Sequence, residues 1–170
     1  IYVLSDEIYD RLYYGDVKPV SVGSIPGMKD RTVTLDGFSK AYAMTGWRLG
    51  YGVMNKKIAA SCNLLIANST SCTEALTGPQ DAVESMRAEF KRRKEYLIDA
   101  LNDIPGVTCK MPDGAFYAFP NVKSFGKTSL EIENHLLNDG GVACLSGTSF
   151  GAYGEGHLRL SYANSMENLE

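Results

Sequence analysis

The sequence predicts an α/β protein: a mixed sheet first, then a smaller α+β layer. Three features carry this. Short apolar runs bounded by polar residues open the chain, one long amphipathic pattern follows, and a second set of short strand patterns closes it. The division falls inside or just before the long helical pattern, giving residues 1–80 and 81–170.

Ile1-Tyr2-Val3-Leu4 is an apolar run closed by Ser5-Asp6-Glu7, as expected of a buried strand. Arg31-Thr32-Val33-Thr34-Leu35 is a second strand pattern, and Leu49-Gly50-Tyr51-Gly52-Val53-Met54 a third. The long stretch between the first two has room for a crossover, so they are expected to be parallel. A parallel return needs about a dozen residues or more. The stretch from Lys40 to Trp47 is shorter, so the third strand is expected to run antiparallel to the second. Arg48 then falls on the sheet edge where Lys40 leaves.

Residues 57–67 suit a helix, and after a polar stretch a long helix is expected from Gly78-Pro79, with the proline in its first turn. Its apolar face reads Val83, Met86, Phe90, Leu97, Leu101 and Ile104, and Pro105-Gly106 ends it. Strand patterns follow at 107–109, 115–119, 142–145 and 157–162, with a helix at 129–137.

With 44% hydrophobic residues, 22% charged residues and a net charge of −3, the composition is that of a globular domain and offers no basic face for nucleic acid. The run Lys91-Arg92-Arg93-Lys94 reads as a solvated helix face. Cys62, Cys72, Cys109 and Cys144 form no CxxC pair and have no nearby histidine cluster, so no metal site or disulfide framework is signalled. No apolar run has the length of a membrane span and no signal-peptide pattern opens the chain, which points to a cytoplasmic protein with no membrane partner. The chain opens within a strand pattern and stops within a helix start, and so reads as a fragment of a longer protein.

The chemistry lies in joint placement. Asp6 and Tyr9 follow one strand, Lys40 follows the next, and Arg48 returns to the same edge. In open α/β sheets, ligands bind outside the carboxyl ends of the strands.

Ser5-Asp6-Glu7-Ile8-Tyr9 and Ser39-Lys40-Ala41-Tyr42-Ala43-Met44-Thr45-Gly46-Trp47-Arg48-Leu49-Gly50-Tyr51 closely resemble the cofactor motifs of class I/II aminotransferases of fold type I. The likeness continues through Pro112-Asp113-Gly114-Ala115-Phe116-Tyr117, Gly147-Thr148-Ser149-Phe150-Gly151 and Gly156-His157-Leu158-Arg159-Leu160-Ser161-Tyr162-Ala163, nearly the whole chain. It implies the C-terminal part of the large domain that binds pyridoxal 5′-phosphate, followed by the small C-terminal domain. It also implies transfer of an amino group from a 2-amino acid to a 2-oxo acid, with 2-oxoglutarate as acceptor, in a parent protein that is a homodimer.

Position by position, the resemblance implies that Lys40 holds the cofactor as a Schiff base and then moves the substrate's α-proton. Asp6 would pair with the pyridine nitrogen and Tyr9 would donate to the cofactor's phenolic oxygen. Arg48 would hold the phosphate, with Ser39 a further phosphate contact, and Arg159 would grip the substrate α-carboxylate. The alternative readings are an aminotransferase-like lyase or synthase with the same fold and the same lysine, against which the Met44-Thr45-Gly46-Trp47-Arg48 string favours an aminotransferase, and the cofactor-binding effector domain of a transcription regulator.

The sequence departs from the family pattern at Gly37, where some subgroups carry a phosphate-contacting hydroxyl, and at Ser146, where proline is common. The stretch joining 69–73 to 75–80 also looks shortened. The family's ring-stacking aromatic, glycine-rich phosphate loop and asparagine near the phenolic oxygen have no counterpart in these residues. The isolated chain is therefore expected to be inactive.

Overall fold

In the computed structural model, which describes residues 1–63 and 73–170, three strands make the first sheet: β1 (Val3–Asp6), β2 (Thr32–Gly37) and β3 (Gly50–Val53), in the order β1-β2-β3. β1 is parallel to β2, with Asp6 opposite Leu35. β2 is antiparallel to β3, with Gly37 opposite Gly50. Both directions are those the connection lengths predict.

The expected burial of β1 is not observed. Among the described residues it is an edge strand with β2 as its one neighbour, and Leu4 is 69% exposed, with Ile1 and Tyr2 exposed before it. Buried hydrophobic side chains here include Leu12 and Tyr14, which follow β1, and Phe38 and Ala41, which follow β2.

Helix α1 runs over Lys56–Asn63; the rest of the helix expected to residue 67, the polar stretch after it, Cys72 and most of the shortened region lie outside the described residues. A short helix α2 (Thr73–Thr77) precedes α3 (Asp81–Asp103). Pro79 stands ahead of α3 and not in its first turn. The Gln80 side chain donates to the carbonyls of Ala75 and Gly78, so the residues before Asp81 close off α2 before α3 starts.

The chain divides within α3 into two units, Ile1–Arg87 and Ala88–Glu170. In the second unit the core joins Leu97, Ile98 and Leu101 of α3 to Val107, Cys109, Ala118, Val122, Ile132, Leu158 and Tyr162. Ile98, outside the expected apolar face, is almost wholly buried, whereas Ile104, inside it, is exposed because α3 has already ended. Each side chain buried as fully as Ile98 contributes about 1.5–3 kcal/mol.

The second sheet is smaller than its sequence patterns suggest. β4 is Tyr117–Ala118, β5 is Leu145–Ser146 and β6 is Leu158–Ser161, in the order β4-β6-β5, both pairings antiparallel. Residues 107–109 supply only the bridge from Thr108 to Asn121. Helix α4 (Ser129–Asn138) starts with a capping box: Thr128 Oγ1 accepts from Glu131 N and Glu131 Oε2 accepts from Thr128 N at 2.8 Å. Caps of this kind are worth about 1 kcal/mol. The last residues form a turn in which Leu169 N and Glu170 N donate to Met166 O.

Of the basic run on α3, Arg92 and Arg93 pair with Glu89 and Lys91 pairs with Glu95. Lys94 does not belong to this solvated face. It is 5% exposed, its Nζ donates to the Pro112 carbonyl at 3.3 Å, and burial pushes its ammonium below the ordinary lysine value. Cys62 and Cys144 are free and half-buried, Cys109 free and buried, and burial pushes the Cys109 and Cys144 thiols up.

Candidate active site

β1 and β2 are parallel and in register, so Asp6 and the loop after Gly37 emerge at the same sheet end. β3 returns antiparallel, and its first residue lies opposite Gly37, so Arg48 stands two residues from that end. The loop bearing Lys40 is closed by backbone bonds: Phe38 N to Leu49 O at 3.3 Å, Met44 N to Phe38 O at 3.0 Å and Ala43 N to Lys40 O at 3.1 Å.

Within this frame the Lys40 ammonium lies 5.9 Å from the centre of the Tyr9 ring. Asp6 is exposed at the end of β1, where its Oδ1 accepts from Ile8 N at 3.2 Å. Ser39 and Lys40 are half-buried; Arg48 is exposed, has a left-handed backbone (φ 52°) and donates to Thr45 O at 3.4 Å. A cleft of about 540 Å³ opens beside Asp6 and Tyr9, with Arg11, Lys18 and Glu84 on its walls.

Gly37 has a local reason. A Cβ there would stand 3.2 Å from the Leu49 carbonyl oxygen and 3.2 Å from Ile8 Cδ1, so the hairpin leaves little room for a side chain.

Several supporting residues carried no signal of their role in the sequence: Glu7 and Tyr51 lie within the motifs quoted above, Asp10, Ser21 and Asp36 outside them. Glu7 Oε1 accepts from Ser5 Oγ and Ser21 Oγ at 3.0 Å and from Val22 N at 3.1 Å, which ties the end of β1 to the turn at Val22–Ser24. Asp36 accepts from Tyr51 Oη and from Gly37 N, both at 2.6 Å, at the base of the Lys40 loop. Burial, then the Asp36 charge, pushes the Asp10 carboxyl up.

Arg159 belongs to the second unit, on β6 opposite Leu145. Its guanidinium carbon lies 4.6 Å from the centre of the Tyr117 ring and 4.3 Å from that of Phe150. Among the described residues its guanidinium makes no ion pair and no hydrogen bond, so its donors are available to an outside acceptor. Two rings against a planar cation hold its orientation while leaving its edge open. Tyr117 and Phe150 lie in motifs quoted above, but their contact with Arg159 depends on how β4 and the turn at Gly147–Phe150 assemble around β6.

Among the described residues no group of three or more histidine, cysteine or acidic side chains could hold a metal ion, and no helix is long and apolar enough to cross a membrane.

The fold is that of aminotransferases. An aromatic aminotransferase from Pyrococcus horikoshii superposes with a TM-score of 0.92 at 38% identity, over 100% of this chain and 48% of that one. The aspartate aminotransferase of Rhizobium meliloti superposes with a TM-score of 0.91 at 32% identity, over 99% and 46%. The aspartate aminotransferase of Pyrococcus abyssi is 40% identical over 180 residues, which cover 99% of this chain and 46% of that protein. The chain belongs to the aminotransferase class I and II family, whose model matches residues 1–170. It spans about half the length of the curated relatives it matches.

Proposed function

We propose that the protein containing this chain is a pyridoxal-phosphate-dependent aminotransferase, with Lys40 as the cofactor's anchor. The observation that carries this reading is the meeting of the Lys40 amine and the Tyr9 ring at the sheet end where Asp6 also emerges. The donor set suits the cofactor: an amine for its aldehyde, a carboxylate for its ring nitrogen, a phenol for its phenolic oxygen, and Arg48 with Ser39 for its phosphate. Bound there, the cofactor supplies an aldehyde for amine exchange and a ring that accepts electron density.

The residues of this chain have the following tasks. Asp6, as a carboxylate, keeps a proton on the ring nitrogen. Tyr9 donates to the phenolic oxygen and packs beside the Lys40 amine, limiting where that amine can go. Arg48 neutralises the phosphate as a planar donor. Once its amine is free, Lys40 takes the proton from the substrate's α-carbon as general base and returns it as general acid. Arg159 grips the α-carboxylate through its open edge, which fixes the direction of the α-C–H bond. The substrates are a 2-amino acid and a 2-oxo acid, with 2-oxoglutarate as the acceptor. This part of the reading rests on the likeness to relatives named for aspartate and for aromatic amino acids.

Borohydride reduction of the holoenzyme followed by peptide mapping should place the pyridoxyl group on Lys40. A label on Lys56 or Lys57 would overturn the assignment. Lys40→Ala should abolish covalent retention of the cofactor and nearly all turnover, because nucleophile and base vanish together.

A further inference from the structure

Lys94 is a buried cation that the proposed chemistry does not use. It sits on α3 in a run of four basic residues, yet unlike Lys91 and Arg92 it points into the second unit and is 5% exposed. Burying an ammonium is costly unless it gains partners. One partner is the carbonyl of Pro112, at the start of the turn 112–116 that leads into β4.

That turn needs outside support. Ala115 has φ 60°, a left-handed conformation that a side chain disfavours. Its carbonyl accepts from Tyr162 Oη at 3.2 Å, and Phe116 O accepts from Tyr162 N at 3.0 Å. The Phe116 ring stacks on Phe90 of α3 at 5.6 Å. The next residue is Tyr117, whose ring lies 4.7 Å from Phe116 and 4.6 Å from the Arg159 guanidinium. Lys94 and Arg159 are thus joined through one strained turn and one aromatic ring.

We propose that Lys94 is a positioning residue for the substrate-carboxylate grip: held on the Pro112 carbonyl, it sets the turn whose Tyr117 ring orients Arg159. This rests on the reading of Arg159 as the carboxylate-binding group. Arg159 has no acidic partner among the described residues to orient it, so its direction comes from Tyr117 and Phe150, and Phe150 is itself 51% exposed. Movement of the Tyr117 ring would shift the fork and weaken its hold on a carboxylate, while the chemistry at Lys40 would be untouched.

The test uses the holoenzyme and a pair of amines differing only in the α-carboxylate, L-alanine and ethylamine, in single-turnover half-reactions. Binding is read separately by equilibrium titration with 2-methylalanine, which has no α-proton to lose. Lys94→Met should weaken 2-methylalanine binding and raise KM for alanine about fivefold, the weight of one net hydrogen bond. kcat and the ethylamine reaction should stay as in the wild type. Lys94→Arg, which keeps a cationic donor, should recover most of the loss. Equal slowing of alanine and ethylamine in Lys94→Met, or unchanged 2-methylalanine affinity, would overturn the proposal. If Lys94→Met does not fold, Tyr117→Leu reads the same link from its other end, and an unchanged alanine-to-ethylamine ratio there overturns it equally. Arg159→Lys is the control: no selective loss with alanine refutes the carboxylate reading itself, whereas a selective loss there with none in Lys94→Met refutes only the role of Lys94.

Discussion

Tyr51→Phe removes one oxygen from the base of the loop that presents Lys40. Tyr51 faces Asp36 across the β2–β3 ladder and donates to Asp36 Oδ2 at 2.6 Å, while Asp36 Oδ1 accepts from Gly37 N at 2.6 Å. A hydrogen bond to a charged acceptor is worth about 1.5–3 kcal/mol when shielded. Tyr51 is 38% exposed and Asp36 half-buried, so solvent removes much of that, and we expect a loss of about 1 kcal/mol. The phenylalanine ring keeps its packing on Phe38, 5.7 Å away in the wild type, so the loss reads the bond and not a cavity.

The pH dependence sharpens the test. Burial, then the bond to Asp36 and its charge, pushes the Tyr51 phenol well above its ordinary value. A group raised on folding contributes stability that is complete below its unfolded value, about 10, and is lost as pH rises beyond it. Urea midpoints should therefore favour the wild type at about pH 8, and the gap to Tyr51→Phe should narrow by about pH 11. Equal midpoints at the lower pH, or a gap that stays constant, would refute the argument.

Three further outcomes follow from the second unit. Ser129 is fully buried and its Oγ accepts from Gly156 N at 2.7 Å and His157 N at 3.2 Å, so Ser129→Ala should cost about 1–2 kcal/mol in thermal melts. The neighbouring Glu155 carboxyl is held below the usual glutamate range, first by the Ser129 N–H. Its contribution is present above about pH 4.3 and lost as pH falls, so Glu155→Gln should lose less stability than the wild type on acidification. Arg159→Lys should lower kcat/KM for the amino acid roughly tenfold to hundredfold with cofactor absorbance intact, because a point charge cannot replace the fork; unchanged kinetics would return Arg159 to a purely structural part.

The sheet directions were legible because chain length limits which returns are possible, and they bring Asp6, Lys40 and Arg48 to one edge. Burial was less legible. An apolar run such as Ile1–Leu4 says that the strand would gain from cover, but its exposure is decided by which neighbours the sheet supplies. α3 starts at Asp81, beyond Gly78-Pro79, because proline tolerance in a first turn says nothing of a glutamine side chain capping the helix before it. Lys94 was hidden in a charge run, since a run fixes composition and not which of its members the helix turns inward.

The two units hold their candidate groups in different ways. Lys40 is placed by backbone: its loop turns back between antiparallel strands, with left-handed conformations at Ala43 and Arg48, both φ 52°. Each such residue costs about 1–2 kcal/mol, and the closing bonds of Phe38 with Leu49 and Met44 are what keep the loop in that shape. That kind of placement is written in contiguous sequence, which is why the Lys40 stretch is so recognisable. Arg159 is placed instead by side chains brought together from Tyr117 and Phe150, far apart in sequence, and behind Tyr117 by a lysine on α3. A motif can carry the first kind of placement whole, whereas the second exists only once β4 and the turn before Gly151 have packed around β6, so its determinants are visible in the fold and scattered in the chain.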